Sequence, residues 1–153
     1  MSTAVPAGTL VGMDLAAAID HARAHRNGVL TTLKRDGRPQ LSNIVYAVDT
    51  AGTIRISVTA SRAKTKNLAR DPRASLYVRR ESFWAYAVVD GPAELTPVAT
   101  DPHDATVDEL VELYRSLSGE HDDWDDYRRA MVADGRLVVR LTPTSAYGML
   151  PSA

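Results

Sequence analysis

Residues 29 to 59 constrain the fold more than any other stretch. They hold three strand-like runs separated by turns too short for a crossover connection. Val29 to Leu33 is the first run, and Gln40 to Val48 is the second. Thr53 to Thr59 is the third. Lys34-Arg35-Asp36-Gly37-Arg38-Pro39 has the composition of a hairpin loop, and Asp49-Thr50-Ala51-Gly52 that of a tight turn. Parallel neighbours need a dozen or more linking residues, so these strands pair antiparallel. In the third run Ile54, Ile56 and Val58 point one way, and Arg55, Ser57 and Thr59 the other.

The rest of the chain extends this pattern. Asp14 predicts an N-cap for a helix from Leu15 to Arg26, stopped by Asn27-Gly28. Ser61 predicts the cap of a short helix that Asp71-Pro72 ends. Ala74 to Val78 is the fourth strand. Trp84 to Leu95 is the fifth, with a bend expected at Gly91-Pro92. Val107, Leu110, Val111, Tyr114 and Leu117 give Asp104 to Leu117 a helical period, and Trp124 to Val132 follows as another helix. Arg136 to Leu141 is the sixth strand, and Thr144 to Tyr147 is extended. The expected fold is mainly β with helices, a six-stranded antiparallel barrel. Residues 13–153 form its single domain behind a flexible segment, 1–12. No strand–glycine–helix phosphate loop is present.

Composition narrows the chemistry. With no cysteine among 153 residues, disulfides, thiolate metal sites and cysteine nucleophiles are excluded. No apolar run approaches the roughly 18 residues of a membrane span. The first residues lack a basic start and an apolar core, so a cytoplasmic protein is expected. Formal net charge is only −1, but it is unevenly spread. Residues 101–126 carry ten Asp/Glu and one Arg. Residues 61–80 carry seven Lys/Arg and one Asp.

The basic stretch, "SRAKTKNLARDPRA" from Ser61 to Ala74, has two readings. One is a solvated helical face with local ion pairs. The other is an anion site. Arg62 and Lys64 fall in the first helical turn, where the dipole disfavours cations, and Ser57 and Thr59 lie on the strand just before it. An external phosphate would compensate the dipole and the cations together, with hydroxyls and amides as hydrogen-bond donors. Nucleic acid is disfavoured by the sequence pI of 6.4 and the acidic stretch.

Other constellations are weaker. His21 and His25 share a helix face, as metal ligands do, but no third ligand lies nearby and no metal is expected. His121 sits in an interhelix connection where Asp122 or Asp123 suits a helix cap. Tyr114, Trp124, Tyr127 and Met131 fit helix packing. No Ser-His-Asp arrangement can be assigned, and the catalytic residues stay unknown.

Three segments, "TLKRDGRPQLSNIVYAVD", "ISVTASRAKTKNLARDPRASLYV" and "WAYAVVDGPAEL", resemble the split β-barrel flavin and deazaflavin family that includes the pyridoxamine 5′-phosphate oxidases. The actinobacterial branch using coenzyme F420 is the nearer likeness, and "ELYRSLSGEHDDWDDYRRAM" is similar to it too. The resemblance runs from about Asp14 to Gly148. It implies a homodimer with cofactor sites at the subunit interface and a small-molecule substrate. It also implies that Arg62, Lys64 and Asn67 hold the cofactor's phosphate and tail, with Ser57 and Thr59 beside them. Gln40, Ser42 and Asn43 would lie near the ring system. Trp84 and Tyr86 would come from the other subunit. Lys66, Arg70 and Arg38 would suit the acidic tail of F420. The implied activity is hydride transfer from reduced F420 to a conjugated acceptor. FMN is the alternative cofactor, and a non-catalytic deazaflavin or tetrapyrrole carrier is the alternative role. The C-terminal "RLVVRLTPTSAYGMLPSA" offers nothing comparable to the arginine-and-histidine segment that takes the substrate phosphate in the true oxidases.

Overall fold

The structure is a computed structural model and describes residues 12–150. Alternating burial along Ile54–Thr59 puts Ile54, Ile56 and Val58 in the core and leaves Arg55, Ser57 and Thr59 on the outer face. Eight strands form: β1 Asn27–Leu33, β2 Pro39–Val45, β3 Ala47–Val48, β4 Ile54–Thr59, β5 Arg73–Arg79, β6 Tyr86–Leu95, β7 Arg136–Leu141 and β8 Ser145–Met149. The helices are α1 Leu15–Arg23, α2 Ala63–Arg70, α3 Ala105–Ser118 and α4 Trp124–Ala133. Every strand pairing is antiparallel, in the order β2-β1-β5-β6-β7-β4-β3, with β8 on β6.

Two chain segments switch sheets and so fold the order into a split barrel. The first half of β6 pairs β5 and β8, and Ala93 to Leu95 pair β7 instead. The switch falls at Gly91-Pro92, where Thr142 N–H donates to Pro92 O at 3.0 Å. The second switch is Tyr46, between β2 and β3. It is fully buried, its N–H donates to Arg26 O and its hydroxyl to Ala22 O.

The expected six strands therefore become eight for two local reasons. The run Gln40 to Val48 breaks at Tyr46, and the extended C-terminal segment pairs with β6. The first helix also ends earlier than expected. Ala24 is its C-cap, and Asn27 and Gly28 already pair with Val45 and Ile44. The N-cap of α2 is Arg62 rather than Ser61. The expected flexible segment 1–12 lies outside the described residues except for Gly12, which bridges to Tyr147.

The barrel core comprises Leu30, Ile54, Ile56, Val58, Leu76, Val78, Val89, Val139 and Leu141. Helix α1 closes one end through Ala18 and Ala22 and through the His21 ring, bonded at Nε2 to Val78 O. Burial lowers the His21 pKa, with the nearby charges of His25 and Arg80 adding to it and the Val78 bond opposing it. Helix α2 closes the other end with Leu68. The α3–α4 hairpin covers part of the outer face of β4 and β7. Ala99, Val107 and Val111 pack there with Trp124, Tyr127, Met131 and Val132. Asp104 caps α3 by accepting from Val107 N–H, and Asp123 caps α4 by accepting from Asp126 N–H.

The corner at Gly91 has no room for a side chain. A Cβ there would stand 1.9 Å from Thr142 O and 2.8 Å from its carbonyl carbon, both backbone atoms. Gly91→Ala is expected to cost about 1–3 kcal/mol or more. The urea midpoint should fall with an unchanged slope; an unchanged midpoint would mean the corner does not hold the two sheets together.

Candidate functional site

The outer face of the β4–β7 ladder carries a row of polar residues. Arg55, Ser57 and Thr59 on β4 lie opposite Arg140, Val138 and Arg136 on β7. At one end the cations are matched. Arg55 pairs with Asp49 and Glu109, and Arg140 with Glu109 and Glu94. Burial pushes the Glu109 carboxyl up, but the bond and charge of Arg140, helped by Arg55, outweigh it and hold the pKa below the usual range. These charges clip α3 to the barrel.

At the other end the cations are unmatched. The chain leaves β4 at Thr59, turns, and enters α2 at Arg62, which has extended backbone geometry and makes no side-chain cap bond. Thr65 Oγ1 donates to Thr59 O at 2.7 Å and pins the turn. Lys64 is half-buried beside this turn. Burial lowers its pKa first, and the charges of Arg62 and Arg136 lower it further. None of the ion pairs among the described residues involves Arg62, Lys64 or Arg136. Arg136 Nη1 points to Ser57 Oγ at 3.4 Å, while its Nε–H is buried without a hydrogen-bond partner. Two hydroxyls, three cations and an uncapped helix start thus converge on one place. This donor set fits a phosphate group.

A hydrogen-bond chain runs from α2 to β2. Arg70 donates to Asn67 Oδ1 at 3.0 Å, and Asn67 Nδ2 donates to Thr32 Oγ1 at 3.1 Å. Thr32 Oγ1 donates to Gln40 Oε1 at 3.2 Å, and Gln40 Nε2 to Ser42 Oγ at 3.0 Å. Arg70 also donates to Leu33 O. The Asn67 amide is therefore engaged at both ends, and the side chain positions α2 over β1 and β2.

The structure groups the sequence-derived site residues unevenly. Ser57, Thr59, Arg62 and Lys64 come together, and Gln40, Ser42 and Asn67 join through Thr32. Asn43 lies on the opposite face of β2 from Gln40 and Ser42. It lines a cavity of about 690 Å³, with His25, Val29, Val45, Tyr77, Arg79 and Arg80 among its walls. The basic cluster takes no part in that cavity. Tyr86 shares the outer sheet face with Asn43, and Trp84 lies just before it in the chain. Trp84 is exposed and meets Phe83 edge-on at 4.9 Å, and Tyr86 lies 5.5 Å from Tyr77 on the outer sheet surface. Sequence reasoning missed Thr32 and Arg136. Only the β4–β7 register, which sets Arg136 opposite Thr59, could have revealed the second.

The His21 and His25 rings meet tilted at 49° with centroids 4.4 Å apart, and His25 Nδ1 is bonded to His21 O at 2.8 Å. Both rings thus serve the end of α1. His121 Nδ1 accepts from Asp123 N–H and the ring packs among Tyr114, Trp124 and Tyr127.

Residues 15–150 match the model of the pyridoxamine 5′-phosphate oxidase family, and the chain belongs to that family of flavin-binding split-barrel proteins. Solved structures share the fold. A conserved hypothetical protein from Mycobacterium tuberculosis is 24% identical with a TM-score of 0.69, covering 94% of this chain and 92% of its own. An F420 reductase is 24% identical with a TM-score of 0.61, covering 79% and 88%. A FAD-binding protein from Mesorhizobium loti is 20% identical with a TM-score of 0.63, covering 92% and 95%.

The lowered Lys64 pKa gives a stability prediction. Between that pKa and the ordinary 10.5, the unfolded chain holds a proton the folded chain has released, so stability rises with pH there. Below that window the charged ammonium opposes folding in full. Lys64→Met without ligand should therefore melt at or above the wild-type temperature at pH 7, and the advantage should shrink as pH approaches 10. A variant that melts well below wild type at pH 7 would show that Lys64 has a stabilising partner within the chain.

Proposed function

We propose that the chain is an F420-dependent oxidoreductase that reduces a conjugated small molecule, such as an enone, quinone or tetrapyrrole. The observation that carries this reading is the pair Arg62 and Lys64, unmatched by any carboxylate among the described residues, at the uncapped start of α2 beside Ser57 and Thr59. Arg62 and Lys64 would hold the phosphate, with the two hydroxyls as hydrogen-bond partners. Asn67, through Thr32, Gln40 and Ser42, would keep α2 in register with the strands nearest the ring. When bound, reduced deazaflavin supplies the hydride, so the chain's tasks are to bind, orient and exclude water. The likeness in fold to an F420 reductase supports this choice of cofactor.

FMN is the second reading. It is favoured by the family itself and by a FAD-binding protein among the solved neighbours. Both cofactors bear a phosphate, so the cradle serves either. Fluorescence titration of the purified apo-protein separates them. F420 should bind with a Kd of about 1 μM or tighter, and FMN much more weakly. Lys64→Ala should weaken F420 binding roughly tenfold or more, as loss of a charge-assisted contact does. Preference for FMN would move the chain to flavin chemistry, and an affinity within twofold for Lys64→Ala would remove the anchor assignment. Tight F420 binding with no turnover of any acceptor would favour the carrier role.

The reading includes a homodimer. Leu41, Val45, Phe83, Trp84 and Tyr147 are exposed. Strand alternation puts Leu41, Val45 and Tyr147 on the outer surface of β2, β1, β5, β6 and β8 together with Val29, Tyr77, Tyr86 and Met149. Apolar residues concentrated on one sheet face suit a subunit interface. A second copy seated there would bring its Trp84 and Tyr86 towards this chain's cofactor. Leu41→Asp should convert a dimer to a monomer in sedimentation and weaken F420 binding together with it. A monomeric wild type, or a monomeric variant with full affinity, would contradict the shared site.

A further inference from the structure

The structure assigns Arg136 to the phosphate cradle, as a third anchoring cation delivered from the far strand of the ladder rather than from the basic segment. The inference rests on the phosphate reading of the site and extends it to a residue 66 positions beyond the end of α2. Three observations carry it. In register, Arg136 faces Thr59, and its guanidinium reaches Ser57 Oγ at 3.4 Å, the long limit of a hydrogen bond. Its Nε–H is buried without any partner, which is costly for a charged donor unless something else accepts. Its charge also acts on Lys64, so the two cations share one field with Arg62, and among the described residues no carboxylate pairs with any of the three.

Arg140 shows what the same chemistry looks like when it is structural. It lies on the same strand and the same face, four residues on, and its guanidinium is held by Glu109 and Glu94. Among the described residues Arg136 has no such acid. The neighbouring Tyr127, whose hydroxyl donates to Leu110 O, is held by α4 and offers no carboxylate either. A phosphate oxygen between Ser57, Lys64 and the Arg136 guanidinium would offset the mutual repulsion, and a turn of that guanidinium would bring the orphaned Nε–H, here closed to solvent, onto a second oxygen. A planar guanidinium offers Nε–H and Nη–H side by side, which suits two oxygens of one phosphate.

The test uses inorganic phosphate as the probe and the full chain without cofactor. Binding is followed by thermal shift and by the ¹H–¹⁵N resonances of arginine Nε. Phosphate should raise the melting temperature of the wild type and shift the arginine Nε–H signal that is missing from Arg136→Lys. Arg136→Met should weaken phosphate binding tenfold or more, with Arg136→Lys in between and Arg35→Ala, an exposed hairpin cation, within twofold of wild type. If Arg136→Met binds phosphate within twofold of wild type while Lys64→Ala does not bind it, the assignment of Arg136 is overturned and the cofactor reading stands. If neither variant changes phosphate binding, or the wild type binds none, the inference falls. Titration with F420 then decides the cofactor reading separately. Should Arg136→Met fail to fold, the Nε–H signal of the wild type decides alone: no shift with phosphate overturns the inference.

Discussion

The molecule depends on one strand serving two sheets. β6 pairs with β5 and β8 along its first half and with β7 beyond Gly91-Pro92. The turn of its backbone is possible because Gly91 leaves room for Thr142 O. This corner carries β7 across to β4, and the β4–β7 register then sets Arg136 opposite Thr59. The place where cations collect at the start of α2 is thus fixed by a glycine at a distant corner, through two ladders of backbone hydrogen bonds. The strand, the turn and the helix start present amides, hydroxyls and cations together without a glycine-rich loop.

Charge is distributed along that outer face by a simple division. Where α3 covers it, Glu109 neutralises Arg55 and Arg140, and the acidic stretch of the sequence is used structurally. Where α3 does not reach, Arg62, Lys64 and Arg136 stay unmatched. A folded chain tolerates such a cluster at some cost in stability. An anion bound there would offset that cost and add to stability. Lys66 on the exposed side of α2 fits the solvated description, whereas half-buried Lys64 does not.

Much of the fold was legible in the sequence because its signals are local. Alternation in Ile54 to Thr59, the turn at Gly52, the stop at Asp71-Pro72 and the period of α3 each depend on near neighbours. The misses came from tertiary contacts. Tyr46 breaks a run that alternation alone would continue, because its ring enters the core and its hydroxyl reaches Ala22 O. Asn27-Gly28 has the chemistry of a helix stop, yet it is used as the first pair of β1. For the site, Ser57, Thr59, Arg62 and Lys64 were legible because one strand, one turn and one helix hold them. Arg136 and Thr32 were not, since only strand register brings them there. Asn43 shares a short motif with Gln40 and Ser42, but the pleat sends it to the opposite face.

The most direct measurement is the position of the phosphorus atom in a crystal structure of the protein grown with F420. The oxygens around it should lie within hydrogen-bond reach of Ser57 Oγ, Thr59 Oγ1 and Lys64 Nζ, at the start of α2. Phosphate density instead beside Arg79 and Arg80 in the 690 Å³ cavity, with the α2 cluster facing only solvent, would contradict it.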